Sequence, residues 1–299
     1  MDFTALRYFS ETANTRSIRA ASERLHVSPS AISRQIAKLE HELRAPVFDR
    51  RAQGMTLTPA GEILQSTVES VTREFGRVKS QIAALQNIQA GTVDVYCFQT
   101  AIESFVAPVL HRFNVQYPNV TFNVRMSSTD EAMGALSTGA AELSLVLNPP
   151  ARDTIETMEL FRDRTVVAFA PAHPLAKRKV VSLRELAEFP VALTERSFGL
   201  RQQQDRIFQR HAFQPQTFCI TNSLALVKGV ASVGSHCTLL PRFAVEQEVA
   251  AGILCTSAVR EFASDPLIFC ICTFSRRSLS PAARIFVEAM GEYCRRYRH

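Results

Sequence analysis

No apolar run in this 299-residue chain approaches the roughly 18 residues that a membrane-spanning helix requires; stretches such as Pro266–Cys272 stop far short. The opening residues Met1-Asp2-Phe3-Thr4 include an acid and lead into a polar helical pattern, so no secretory signal and no membrane partner are expected. Cysteine is present seven times, an odd number, and never as C-x-x-C. A disulfide framework is therefore not expected, and a reducing, cytoplasmic setting is. The chain also lacks a Gly-rich phosphate loop, a G-x-S-x-G elbow and an H-E-x-x-H pair, which argues against an enzyme and against a bound cofactor. No internal repeat or low-complexity stretch stands out.

What is present is ordinary globular usage, 46% hydrophobic and 21% charged, which excludes a largely disordered chain. At about 150 residues per domain the length suggests two domains and permits three. The formal net charge is +6 and the pI near 9.1, a balance that suits a nucleic-acid partner without requiring one.

The first sixty residues read as three helices and a hairpin. Phe3, Leu6 and Phe9 recur at helical spacing after a capping Asp2. Ser17 caps a short helix, Ile18 to Leu25, whose small pair Ala20-Ala21 permits close packing. His26-Val27 turn the chain, and Ser28 caps a third helix with Pro29 at its first position, where a missing N–H costs nothing. Along that helix Ile32, Ile36, Leu39 and Leu43 form one apolar stripe, leaving Ser30, Ser33, Arg34 and Lys38 on other faces. A short helix, a tight turn and a longer helix make the helix-turn-helix plan, in which the second helix enters the major groove of double-stranded DNA. Ser30, Ser33 and Arg34 suit base edges, and Arg is the commonest reader of guanine. Pro46-Val47-Phe48 and Met55-Thr56-Leu57 can pair around the basic tip Arg50-Arg51-Ala52-Gln53-Gly54, a wing suited to phosphate.

Thr58-Pro59 then opens a long helix. Leu64, Val68, Val71, Phe75, Val78, Ile82 and Leu85 follow at steps of four and three, a coiled-coil seam that predicts a homodimer. After Gly91 apolar runs alternate with helical patterns in the manner of an α/β domain. Val93–Phe98, Thr121–Met126, Leu143–Leu147, Thr165–Ala170 and Leu267–Thr273 read as buried strands. Cys270-x-Cys272 reads as strand core, and His236-Cys237 has no third ligand at a metal-site spacing.

Residues 1–61 resemble the winged helix-turn-helix of LysR-type transcriptional regulators. The resemblance runs through Ser17-Ile18-Arg19-Ala20-Ala21-Ser22-Glu23-Arg24-Leu25-His26-Val27-Ser28, Ala31-Ile32-Ser33-Arg34-Gln35-Ile36, Leu39-Glu40-His41-Glu42-Leu43, Phe48-Asp49-Arg50 and Leu57-Thr58-Pro59-Ala60-Gly61. It continues through Tyr117-Pro118, Leu136-Ser137-Thr138-Gly139, His173-Pro174-Leu175-Ala176, Leu239-Leu240-Pro241 and Leu279-Ser280-Pro281-Ala282-Ala283. The chain departs from the family at Pro29-Ser30, where Gln-Pro is usual, and at His236, where a second glycine is usual.

The resemblance implies an α/β chain in three parts. Residues 1–58 would form a winged helix-turn-helix, 59–90 a linker (coiled-coil) helix, and 91–299 a two-lobed α/β effector domain resembling periplasmic solute-binding proteins. Lobe one would hold 91–162 and 266–299, lobe two 163–265. It further implies binding to a promoter or operator through Ser28, Pro29, Ser30, Ser33, Arg34, Lys38, Arg50 and Arg51, and a homotetramer. A small-molecule effector would sit in the crevice beyond the strand ends, near Thr100, Ser127, Ser128, Thr129, Phe198, Arg201, Thr221 and Asn222. Hydroxyls beside an arginine suggest an anionic, carboxylate-like effector. Some members of the family sense oxidants, and Cys219 and Cys237 are the first thiols to consider for such a role.

Overall fold

The structure, a computed structural model, describes residues 2–51, 54–85 and 91–297 and divides into two compact units, the first ending at Val78. Among the described residues no helix is long and apolar enough to cross a membrane.

The first unit contains α1 (Phe3–Thr15), α2 (Ile18–Leu25), α3 (Pro29–Leu43), β1 (Phe48–Arg51), β2 (Gly54–Leu57) and the start of α4 (Pro59–Leu85). Each short helix begins on the residue that the pattern picks out. The Asp2, Ser17 and Ser28 side chains accept the N–H groups of Thr4, Ala20 and Ala31. His26, at φ 55°, closes α2 in the left-handed region. Phe9, Ala21, Ile32, Ile36, Leu39 and Val47 form the core, each large side chain contributing about 1.5–3 kcal/mol on burial. Leu43, expected in the same stripe, is exposed. The wing strands pair antiparallel with Phe48 opposite Leu57 and Arg51 opposite Gly54. Gly54 has φ +119°, and a Cβ there would lie 2.9 Å from the Arg16 carbonyl oxygen, the atom to which Met55 N–H donates. Ala52, Gln53 and the side chains of Arg50, Arg51 and Leu85 lie outside the described residues.

The Thr58 hydroxyl donates to the Pro46 carbonyl and accepts the Gly61 N–H, so it caps α4 and ties it to β1. The heptad seam divides along this helix. Leu64 and Val68 are buried in the first unit's core, whereas Phe75, Val78 and Ile82 are 51%, 42% and 54% exposed. Phe75 also has an edge-on contact with Phe3, ring centres 5.2 Å apart.

The second unit has two sheets. Lobe one begins with β3 (Gly91–Cys97), the single turn α5 (Gln99–Ala101), a π-helical segment Ile102–Val106 and α6 (Ala107–Gln116). It continues through β4 (Val120–Met126), α7 (Thr129–Thr138), β5 (Leu143–Leu147) and β6 (Ile155–Asp163). After Arg164 the chain enters lobe two: β7 (Thr165–Phe169), β8 (Val180–Val181), α8 (Leu183–Leu186), β9 (Pro190–Thr194), α9 (Gly199–Arg210) and β10 (Gln216–Thr221). The lobe is completed by α10 (Leu224–Ala231), β11 (Cys237–Pro241), α11 (Glu246–Ala250) and β12 (Cys255–Val259). The chain returns to lobe one for β13 (Leu267–Phe274) and α12 (Pro281–Cys294).

The sheet orders are β4-β3-β5-β13-β6 and β10-β9-β11-β7-β12-β8, and both sheets are mixed. In lobe one β3 runs parallel to β4 and β5, while β13 is antiparallel to β5 and β6. Two strands correct the sequence reading. Thr121–Met126 is not a buried strand: β4 is a sheet edge with Thr121, Asn123, Arg125 and Met126 exposed, because no further strand covers it. Strand β6 gave no apolar run, because most of its side chains face solvent and only Ile155, Leu160 and Phe161 are buried.

Candidate functional site

Two surfaces carry the residues that the sequence marks. In the first unit, Pro29, Ser30, Arg34 and Lys38 stand exposed on α3, opposite the buried Ile32, Ile36 and Leu39, with Ser33 half-buried at the margin. Arg34 and Lys38 make no ion pair among the described residues, whereas Arg19 and Arg24 pair with Glu23 and Glu11. The α3 face thus keeps its cations open to a polyanion. Ser28 is occupied locally, its hydroxyl accepting the Ala31 N–H and lying 3.1 Å from the Ser30 hydroxyl. Arg34 and Lys38 therefore combine exposure with donors free for DNA, while the exposed Ser30 hydroxyl is bonded to Ser28.

In the second unit the C-terminal ends of β3, β4, β5, β9, β10 and β11 converge on a cleft between the lobes. Its empty volume, counted to the mouth, is about 580 Å³. Phe98, Gln99, Thr100, Met126, Thr129 and Leu147 line it from lobe one, and Thr194, Phe198, Gly199, Asn222, Leu224 and Leu240 are among its lobe-two lining. Ligands in α/β folds bind beyond strand carboxyl ends for geometric reasons, since helix N-termini gather there. Thr100 is only 5% exposed and its hydroxyl has no hydrogen-bond partner among the described residues. Gly199 and Leu200 of the first turn of α9 also line the cleft, and the cap residue Phe198 supplies no side-chain acceptor.

One end of the cleft is closed by direct contact between lobes. The Thr129 hydroxyl accepts the Gly199 N–H at 2.9 Å, Asp130 N–H donates to the Ser197 carbonyl, and Gln202 Nε2 donates to Asp130. A Cβ on Gly199 would come within 1.9 Å of the Leu147 carbonyl oxygen, so the close approach of the lobes requires glycine.

Of the eight positions expected at the cleft, Thr100, Thr129, Phe198 and Asn222 line it and four do not. Ser128 is consumed as the α7 cap in a capping box with Glu131. Thr221 accepts the Ser223 N–H, and Ser127 is buried with its hydroxyl unpartnered. Arg201 is 5% exposed, its Nε donates to Asp205 and its Nη1 donates to the Thr194 carbonyl, each at 2.8 Å. It therefore braces the end of β9 rather than facing a ligand. Sequence reasoning missed Thr194, whose hydroxyl oxygen is sealed from solvent and unpartnered in the cleft wall, and the apolar wall of Met126, Leu147, Leu224 and Leu240.

The lobes also meet at their two crossovers. Gln203 Nε2 donates to the Asp265 and Pro266 carbonyls, while its Oε1 accepts the Thr165 hydroxyl, so one buried amide from α9 touches both. Asp163 accepts the Phe243 N–H; burial pushes its carboxyl above the usual range, opposed by backbone donors and by Arg242. Phe105, Phe161 and Phe269 of lobe one pack with Phe243 of lobe two beside this hinge.

Of the two thiols singled out, Cys237 is buried and lacks the open surroundings of a reactive cysteine, whereas Cys219 is half-buried. Burial pushes Cys97, Cys237 and Cys270 up to about 12, and Cys237 lies 3.7 Å from the Pro190 carbonyl. Its neighbour His236 packs instead against Phe218.

A winged helix-turn-helix joined to a two-lobed α/β domain with an interlobe cleft defines a DNA-binding regulator with an effector domain. Residues 3–62 match the bacterial regulatory helix-turn-helix proteins of the lysR family, and residues 86–295 match the LysR substrate binding domain. The chain belongs to the LysR family of transcriptional regulators. It is 31% identical over 243 residues to the transcriptional dual regulator GltC of Bacillus subtilis, covering 81% of each chain. Its fold is similar to full-length CbnR complexed with target DNA, with a TM-score of 0.73 at 20% identity, covering 98% of this chain and 99% of that one. The effector binding domain of QuiR in complex with shikimate gives a TM-score of 0.62 at 20% identity, over 70% of this chain and 100% of that one.

Proposed function

We propose that the chain is a sequence-specific regulator of promoter or operator DNA whose activity is set by a small, anionic, carboxylate-like effector in the interlobe cleft. The observation that carries this reading is Thr100, only 5% exposed in the cleft wall and without a hydrogen-bond partner among the described residues, beside the first turn of α9, whose cap residue Phe198 supplies no side-chain acceptor. Donors gathered at a helix N-terminus favour an anion. The QuiR effector domain, similar in fold, was solved with shikimate, itself a carboxylate.

On the DNA side, Ser30, Arg34 and Lys38 address bases and phosphates, and Arg50 and Arg51 on β1 follow the backbone. The exposed seam residues Val78 and Ile82 pair two copies of α4, placing two α3 helices for half-sites about one helical turn (roughly 34 Å) or a multiple apart. Pairing of effector domains completes a homotetramer. Ligand in the cleft shifts the lobes through the contacts at Gly199 and Gln203, and with them the spacing and bending of the bound DNA. The protein works in the cytoplasm and needs no cofactor.

The test is a melting-temperature screen of the full-length protein against aromatic and aliphatic carboxylates, followed by calorimetry on Thr100→Val. That substitution keeps shape and removes the donor, so affinity should fall by roughly 1–3 kcal/mol while operator binding without effector is retained. Unchanged affinity would remove Thr100 from the site.

A further inference from the structure

The turn between α1 and α2 carries an arginine that no partner within the chain calls for. Arg16 lies at φ 52°, ψ 23°, in the left-handed region that glycine and asparagine enter most readily. Its side chain is exposed and has no hydrogen bond or ion pair among the described residues. The neighbouring cations of α2 are committed, Arg19 to Glu23 and Arg24 to Glu11.

The backbone of this arginine is nevertheless held from three sides. The Thr15 hydroxyl donates to the Glu11 carbonyl at the end of α1, and the Ser17 hydroxyl accepts the Ala20 N–H at the start of α2. The Arg16 carbonyl itself accepts the Met55 N–H at 3.0 Å, which docks the second wing strand on the turn. Gly54, opposite Arg51 in the wing, lies against the same oxygen. His26 and Arg44 end α2 and α3 with the same left-handed backbone and are also exposed. Among the described residues only Arg16 has its carbonyl bonded to the wing.

That position has a meaning on DNA. In a helix-turn-helix the first helix crosses the sugar–phosphate backbone while the second enters the major groove. Here α2 is the crossing helix, and Arg16 stands between its start and a wing suited to phosphate. Neither α2 nor α3 has an acid in its first turn to repel a phosphate there.

We propose that Arg16 binds a backbone phosphate of the DNA, in the space between the start of α2 and the wing. This rests on the helix-turn-helix unit being the DNA-binding surface. The forked guanidinium can give one phosphate two parallel N–H donors, and its anchored backbone aims it before DNA arrives. A phosphate contact carries no base information, so it strengthens binding to every sequence alike.

The experiment measures fluorescence anisotropy of the full-length protein with two mixed-sequence duplexes, one A·T-rich and one G·C-rich, between about 50 and about 200 mM salt. The variants are Arg16→Gly and Arg16→Asn, which suit the left-handed backbone, and Arg16→Lys, which keeps the charge. The first two should weaken binding at low salt by about ten-fold, equally on both duplexes. The slope of log affinity against log salt should become shallower by about 0.9 for each DNA-binding unit engaged, and Arg16→Lys should keep it. Melting temperatures of Arg16→Gly and Arg16→Asn should match or exceed that of the parent, because the backbone loses its strain. An unchanged salt slope in both would overturn the proposal, and lower melting temperatures beside it would assign Arg16 to the end of α1 instead. A loss confined to one duplex would mean a base contact and would overturn the phosphate assignment. A parent protein that binds neither duplex would overturn the DNA-binding reading underneath.

Discussion

The Gly199 N–H donates to the Thr129 hydroxyl at 2.9 Å, joining the first residue of a lobe-two helix to the first residue of a lobe-one helix. The bond exists because Gly199 has no side chain to strike the Leu147 carbonyl. One end of the cleft is thus shut by a bond from the α9 backbone to a lobe-one side chain, at a residue where only glycine fits.

Gly199→Ala tests this directly. The added methyl would overlap a backbone oxygen, and the lobes must separate to relieve it. Effector affinity should fall by more than about ten-fold, with a lower melting temperature, while operator binding in the absence of effector persists. Effector affinity equal to that of the unsubstituted protein would show that the lobes can shift at no cost.

The local features of the first unit were legible because each is written in neighbouring residues. Ser28 and Pro29 begin α3, and the period of Ile32, Ile36 and Leu39 fixes its buried face. The long seam was legible as a period but not in its division of labour, since Leu64 and Phe75 look alike in a heptad and only the fold buries one. The cleft was half legible. Strand-end reasoning found Thr100 and Thr129 yet passed over Thr194, the last residue of β9, to which the same rule applies. Arg201 was misread from its type alone, although Asp205 one helical turn later was a visible partner.

Arg34→Ala should weaken specific operator binding by roughly 1–3 kcal/mol, because an exposed, unpaired guanidinium on α3 would lose a base contact. Binding to random DNA should change much less. Gel shifts on both DNAs decide, and equal losses would assign Arg34 to phosphate alone.

Val78→Asp with Ile82→Asp should uncouple the dimer. Both side chains are exposed in the single chain, so the charges cost the monomer little and would enter only an interface between copies. Phe75 is a poorer choice, because its contact with Phe3 gives it a role within the chain. Light scattering that reports an unchanged oligomer would remove α4 as the dimerisation element.

His173 predicts a pH dependence of stability. Its ring stacks on Phe169, Nδ1 accepts the Leu175 N–H, and Nε2 lies 3.1 Å from the Ser235 carbonyl, a pattern that fits the neutral ring with its proton on Nε2. Burial holds its pKa below the usual 6.5. The unfolded chain therefore takes up a proton before the folded chain does. Stability is full well above pH 6.5 and declines as pH falls through that value toward the lower folded pKa. Melting temperatures measured from about pH 7 to about pH 5 should fall, with a smaller decline in His173→Asn. Identical slopes would assign the acid sensitivity to other groups.

Gln203 holds both crossovers from a single position on α9, whose first turn borders the cleft. Replacing it with leucine keeps the bulk and leaves the Thr165 hydroxyl and the Asp265 and Pro266 carbonyls without that amide. Each group left unsatisfied costs about 1–3 kcal/mol. Gln203→Leu should lower the melting temperature of the effector domain. It should also weaken the change in operator affinity produced by effector, because the helix that meets the ligand would no longer be fixed to the hinge. Glutamate at the same position accepts from Thr165 but cannot donate to the two carbonyls, so Gln203→Glu separates the halves of the bridge. Calorimetry and gel shifts with and without effector measure both effects. A destabilised variant that keeps its full effector response would mean that Gln203 only supports the fold, and that the lobes are coupled through Thr129 and Gly199 instead.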